Sequence, residues 1–433
     1  MKKTLLSVAF IAMCASASAQ KMNFIPWTEN GYLTGSTISD NGKYIAGDDR
    51  GGQAFIYNTE TGEIKYYLSK ELESGEEVSY TVTSEINYIN NDGVGVGYVG
   101  EDPAKFSFEK GNYDVFKDKN GNSGAFRYLS SDGIMGGLRW DKGYKRTPFI
   151  VDKDGNEKSL PLPAPSWFGW EDFQGGSIQG GSADGSVLVG YIMSDFAVRT
   201  LAFWIKNYNN EDYSVVPVGK QYYSVNPDDD KPFDYMGAPV ISSNGKWVTF
   251  AYHKNKDYDH GNMVARYNVI ADKMEYITCP QASRYSSYVT SSISDEGTII
   301  GYIDDDRTMS RNAFIVKGDE SETKLLAEVY PDVKEWAELD NTGENTPCHI
   351  TPDGRYIVGF GFVDLNETSY CYGTYWFDTE GSTNAIKNVD ATASNMVKGQ
   401  YGLDGKKIVS TASNHNRIII NKYNNGEVKK ILK

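Results

Sequence analysis

A short turn motif recurs seven times along this chain, at intervals that suit one small sheet per copy. The copies are Ile38-Ser39-Asp40-Asn41-Gly42, Ile89-Asn90-Asn91-Asp92-Gly93, Leu129-Ser130-Ser131-Asp132-Gly133, Ser182-Ala183-Asp184-Gly185, Ile241-Ser242-Ser243-Asn244-Gly245, Ile293-Ser294-Asp295-Glu296-Gly297 and Ile350-Thr351-Pro352-Asp353-Gly354. Their glycines are 51, 40, 52, 60, 52 and 57 residues apart. Glycine takes positive φ without a Cβ penalty, and Asp or Asn tolerates it, so each copy predicts a tight connection between antiparallel strands. A period of this size fits four short strands per unit. It does not fit heptads, helical solenoids or a single sandwich.

The stretch Ser182 to Trp204 shows the unit most plainly. Val187, Leu188 and Val189 form an apolar, mostly β-branched run after the turn, as a strand buried on both faces requires. In the first unit the predicted strands are Ser36 to Ser39, Lys43 to Gly47, Ala54 to Asn58 and Glu63 to Tyr67. A small-then-aromatic pattern marks the third strand, at Ala125-Phe126, Pro148 to Val151, Leu201 to Trp204, Val264 to Tyr267, Ala313 to Val316 and Thr374 to Phe377. These aromatics are core candidates. Glu322 to Asp332 is the one helix candidate.

The pattern of S-x-D-G, a β-branched run ending in Gly-Tyr, and then Ala-Phe-aromatic resembles the HAF-type extracellular repeats. It is similar, more distantly, to the S-P-D-G repeats of TolB-like propellers, with Thr351-Pro352-Asp353-Gly354 the nearest copy. The resemblance spans roughly residues 30 to 385. With the seven turns it implies an all-β fold, a seven-bladed β-propeller with a small C-terminal β appendage. Such folds serve binding modules, scaffolds and enzymes alike. The tail, with Tyr401 to Ile408 and Arg417 to Lys433, resembles the last segments of the type IX secretion C-terminal sorting domain of Bacteroidetes. The expected boundaries are a signal peptide at 1–19, the propeller at 20–385, and a linker with the sorting-like β domain at 386–433, the linker itself centring on Asn384 to Lys398.

Lys2 and Lys3, the apolar run Leu5 to Met13 and Ala17-Ser18-Ala19 have the form of a secretory signal cut before Gln20. The predicted location is therefore secreted: periplasm, cell surface or extracellular. The run is too short to span a bilayer, and no later segment approaches that length. The formal net charge is -15, which argues against nucleic acid as a partner, since phosphate backbones need clustered Lys and Arg. After Cys14, the three cysteines Cys279, Cys348 and Cys371 allow at most one bridge, with Cys348 and Cys371 the candidate pair.

Loop length carries the functional expectation. Connections between units and between second and third strands are the long ones, and in a propeller they share one face, where a rigid scaffold presents binding residues. Trp167, Phe168 and Trp170, with Tyr222 and Tyr223 in the next long loop, form a candidate aromatic platform for a sugar ring or peptide. Asp228, Asp229 and Asp230, and likewise Asp304 to Asp306, offer hard oxygen ligands that would suit Ca2+, the one candidate cofactor. Asp118 to Gly121 and Asp152 to Gly155 lack full calcium-loop spacing and read as hairpin turns. Of the four histidines none has H-E-x-x-H spacing, and no G-x-S-x-G elbow or phosphate loop occurs. The favoured expectation is a module binding an extracellular glycan or protein. The alternatives are a glycan hydrolase or lyase with carboxylates and tyrosines at the central funnel, and a structural subunit of an envelope assembly.

Overall fold

The computed structural model describes residues 20, 22–25, 33–49, 52–67, 83–164, 173–194, 199–207, 212–217, 235–253, 263–283, 285–366, 369–380, 397–401, 418–423 and 428–432. The chain divides into two compact units, Gln20–Glu380 and Gly381–Lys433 with the first nineteen residues.

Each recurrent turn is built the same way. The seven glycines have φ between 69° and 93°. Their amides donate to the carbonyl three residues earlier at 2.8 to 3.2 Å. The opening polar residue has a separate role. Ser39, Ser130, Ser182, Ser242, Ser294 and Thr351 each accept, on the hydroxyl, an amide from the start of the following strand at 2.8 to 3.1 Å. Asn90 does the same through Oδ1 for the Val94 amide. The motif therefore satisfies the donors at the turn that no ladder partner reaches.

The turns join antiparallel sheets of short strands. The first sheet holds Thr34–Ile38, Tyr44–Asp48, Ala54–Asn58 and Ile64–Tyr66, and the second holds Ser84–Ile89, Val94–Val99, Asp102–Ser107 and Asn112–Val115. An eight-stranded sheet follows. Its first half begins with Ser123–Leu129 and its second with Phe173–Gly181, and the halves touch through one parallel pair, Arg146 with Gly175. The next sheets are built on Trp247–His253 and on Ile299–Asp305.

Two assignments from sequence are corrected here. Ala125-Phe126 lies in the inner strand Ser123–Leu129, and the third strand of the second sheet is Asp102–Ser107. The small-then-aromatic pattern marks any strand buried between two sheets, so it does not distinguish inner from third position. The helical segment extends beyond Glu322 to Asp332: Leu326–Val329 lies within that stretch and Lys334–Thr342 follows it. Its Trp336 is fully buried edge-on against Tyr375 and Phe377.

The last sheet, with Asn345–Ile350, Tyr356–Asn366 and Ser369–Asp378, takes its fourth strand from the other end of the unit. Met22–Phe24 pairs antiparallel with Ser369–Asp378, placing Met22 opposite Phe377 and Phe24 opposite Tyr375. The last sheet in turn meets the first. The Gly35 amide donates to Thr374 Oγ1 at 2.7 Å, and that hydroxyl donates to the Leu33 carbonyl at 2.8 Å. The sheets thus close into a ring, and an apolar cluster fills each contact between neighbours. Ile56, Ile86 and Phe106 lie between the first and second sheets, and Ile38, Phe55 and Val358 between the last and the first. Gln20–Glu380 is an all-β propeller.

The second unit contributes a three-stranded antiparallel sheet of Val397–Tyr401, Ile418–Tyr423 and Val428–Leu432. The signal-like stretch 1–19 lies outside the described residues.

Candidate functional site

A bulge in the inner strands creates the site. In six ladders between a first and a second strand, two of them in the eight-stranded sheet, one inner residue is skipped: Ser36, Asn87, Arg127, Gln179, Ser291 or Cys348. A bulged residue leaves the pairing pattern and is re-aimed. All six line one polar cavity of about 260 Å3 on the ring's axis.

The bulge also explains the glycine of the second strand. A Cβ on Gly47, Gly97, Gly137, Gly190 or Gly301 would sit 1.8 to 2.0 Å from an inner-strand carbonyl oxygen, that of Thr34, Glu85, Ala125, Ser177 or Val289. Only glycine allows the two backbones to approach this closely. In the sheet built on Trp247–His253, pairing of Ile241 with Val248 brings Phe250 to the glycine position. There the inner strand is split into Tyr235–Met236 and Val240–Ile241. A side chain in place of glycine coincides with loss of the ladder.

Above the axial cavity the inner strands open into a second one of about 620 Å3, and Arg127 and Gln179 belong to both. Antiparallel order puts the starts of first and third strands and the ends of second strands on one rim. This rim carries the connections between sheets. The wider cavity is lined from it by Glu85, Tyr98, Trp140, Tyr144, Arg146 and Arg199, among others. A larger cavity of about 760 Å3 lies on the opposite, turn-bearing rim among Lys246, Glu296, Lys317, Asp319 and Asp353. Its charges are mixed and belong to exposed turns.

The connection-rim cavity has distinct electrostatics. Three arginines and one carboxylate line it, in a chain where acidic residues outnumber basic ones 58 to 43. Arg127 Nη1 donates to Asn87 Oδ1 at 2.7 Å, and its Nε is buried with no hydrogen-bond partner. Arg146 Nη1 donates to the Tyr191 hydroxyl at 2.7 Å. Neither arginine makes an ion pair among the described residues. Arg199 stacks over Tyr191, 4.7 Å from the ring centre. Burial raises the Glu85 carboxyl above the usual carboxylate range, opposed by the Arg127 charge and the nearby Tyr98 hydroxyl, while Asp48 pushes it further up. Tyr144 is 78% exposed, with φ of 62°.

On the axis, His349 Nδ1 lies 2.9 Å from Thr37 Oγ1 and accepts from the Ile38 amide at 3.3 Å. Burial lowers its pKa to about 4, so the ring is neutral. Cys348 is a free thiol, donating to the Thr346 carbonyl at 3.4 Å, so the proposed pairing with Cys371 is not formed. Burial pushes that thiol up to about 12, which makes it a poor nucleophile.

Trp167, Phe168, Trp170, Tyr222, Tyr223, Asp228, Asp229 and Asp230 all lie outside the described residues. In the second acidic loop Asp304 pairs with Arg311 at 3.6 Å and Asp305 with Arg307 at 3.1 Å. These two carboxylates face guanidiniums. Among the described residues no group of His, Cys, Asp or Glu is placed to hold a metal. Asp152 heads a hairpin turn, its carbonyl accepting from the Gly155 amide at 3.0 Å, whereas the Asp118 turn, closed by the Gly121 amide at 3.1 Å, joins two sheets and is not a hairpin.

The mouth residues had signals in the sequence. Tyr98 and Tyr191 are the tyrosines of the Gly-Tyr motif, and Arg127 is a charge within the otherwise buried strand Ser123–Leu129. Charged residues are rarely placed there without purpose.

No protein-family model matches the chain, and no curated protein sequence is similar to it. Among solved structures it is similar to an oligogalacturonate lyase from Vibrio parahaemolyticus, with 13% identity over 82% of this chain and 93% of that one, at a TM-score of 0.50. The β-propeller domain of Swd1 from Myceliophteria thermophila is 12% identical over 82% and 99%, at 0.45. TolB from Acinetobacter baumannii is 13% identical over 69% and 66%, at 0.39. At these identities the likeness is one of fold. Among the described residues no helix is long and apolar enough to cross a membrane.

Proposed function

We propose that this is a secreted, seven-bladed propeller that binds an extracellular glycan or protein at the axial mouth of its connection rim. The blade count takes the halves of the eight-stranded sheet as two blades, each with its own turn motif. The cavity of about 620 Å3, where side chains from successive sheets converge as guanidiniums and aromatic rings, carries the proposal. Export rests on the signal-like 1–19 and the sorting-like tail. Trp167, Phe168, Trp170, Tyr222 and Tyr223 are proposed to extend the same rim, and Asp228 to Asp230 to take Ca2+. A glycan and protein binding screen of the mature chain tests this, run beside Trp140→Ala and a Trp167→Ala/Trp170→Ala double variant. Loss with Trp140→Ala supports the mouth. Loss with the double variant alone moves the site to the loops.

One observation favours an enzyme as the second reading. Glu85, half-buried and with its carboxyl raised above the usual carboxylate range, lies beside Tyr98 and Arg127, and a raised carboxyl suits general acid–base work. Release of shortened glycan by the wild type and not by Glu85→Gln would establish it.

A further inference from the structure

We infer that the connection-rim cavity takes an anionic sugar, one whose ring stacks on Trp140 and Tyr144 while its acid group is held by Arg146 and Arg127. The inference rests on the binding function proposed above and names its ligand class.

Positive charge is concentrated in one cavity of a chain that is otherwise strongly acidic. Arg146 spends one nitrogen on a neutral tyrosine hydroxyl, with a further Nη1 contact to Met193 Sδ at 3.9 Å. Arg127 spends one on a neutral amide and buries Nε without a partner. A buried guanidinium donor without an acceptor is costly, and a bidentate acid group is the acceptor that a guanidinium fork fits. Glu85 offsets part of this charge. It stays beyond ion-pairing distance of Arg127.

Tyr144 supplies a separate pointer. Its amide donates to the Asp141 carbonyl at 2.9 Å, and Asp141 Oδ1 accepts from the Gly143 and Lys145 amides at 2.8 and 2.9 Å. This turn holds a bulky residue in the left-handed region, where glycine is at home, and strain of this kind collects at binding sites. The result is an exposed ring fixed at the rim of the cavity, close in sequence to Trp140 and Arg146. An aromatic face beside a guanidinium suits a pyranose bearing a carboxylate or sulfate.

Calorimetric titration tests this with paired hexasaccharides of the same linkage: mannuronate with mannose, galacturonate with galactose, glucuronate with glucose, and sulfated versions of the neutral set. Expected is binding of at least one acidic oligomer, tenfold or more tighter than its neutral partner and weakening as salt rises. Arg146→Gln should erase that preference. Tyr144→Gly should weaken binding several-fold yet raise the melting temperature, which a merely damaged fold would not do. The carboxylated and sulfated arms identify the acid group. Equal binding of acidic and neutral oligomers, unchanged in Arg146→Gln, overturns the anionic ligand and leaves the glycan-binding function standing. Binding of no member, together with an empty glycan and protein screen, overturns both.

Discussion

Asn87 and Arg127, the bulged residues of two neighbouring inner strands, are joined by a hydrogen bond of 2.7 Å from Nη1 to Oδ1. Asn87 Nδ2 also donates to the Phe126 carbonyl at 2.9 Å. One amide side chain therefore fixes both the backbone and the guanidinium of the next sheet. Asn87→Ala should cost about 1–2 kcal/mol, the usual range for a buried polar group left unpaired. It should also weaken ligand binding several-fold through Arg127. Denaturant midpoints and calorimetry check this, and a variant unchanged in both would refute it.

Two glycines separate crowding from backbone conformation. A Cβ on Gly190 would lie 1.8 Å from the Ser177 oxygen, so Gly190→Ala must force the first two strands of its sheet apart. At Gly354 the φ of 75° disfavours alanine, but nothing lies within 4 Å. Gly190→Ala should destabilise by about 3 kcal/mol or more, and Gly354→Ala by about 1 kcal/mol. Equal melting-temperature losses would show that the close approach at the bulge is not what requires glycine.

The ring is closed by Met22–Phe24, and Met22 is 1% exposed. Removing residues 20–25 should unpair the outer side of Ser369–Asp378. Hydrogen exchange would then show those amides losing protection while the strands of the second sheet keep theirs. Unchanged protection in Ser369–Asp378 would mean that the terminal strand does not hold the ring shut.

Asp340 carries a pH dependence of definite sign. Burial raises its carboxyl to about 6, opposed by hydrogen bonds from Asn345 and the Ala313 amide. The folded state thus binds this proton more tightly than the unfolded chain does. The associated stability is present below about pH 4 and is lost as pH rises through 6. Relative to Asp340→Asn, the wild type should lose on the order of 2–3 kcal/mol between pH 4 and pH 7. Parallel stability curves for the two proteins would contradict this.

The architecture was legible because each repeat writes its turn in residues with a local job: a glycine for φ, a Ser, Thr or Asn for the orphan amide. Those signals act within five residues and need no tertiary context. The closing strand was not legible, since Met22–Phe24 has no motif and pairs with residues some 350 positions away. The mouth was half legible. Gly-Tyr and the lone charge in Ala125-Phe126-Arg127-Tyr128 were visible, but only the bulge shows that Asn87, Arg127 and Gln179 share an axis. Loop length directed attention to Trp167 and Asp228, whereas the convergent polar groups sit on strands.

The central claim is that ligand enters at the connection rim beside Arg127, and a hydrogen-exchange footprint tests it most directly. With a saturating ligand from the binding screen, protection should rise in Ser123–Leu129 and in the turn from Asp141 to Arg146. The turn rim around Gly297 and Gly354 should stay unchanged. A footprint confined to that turn rim would contradict the account.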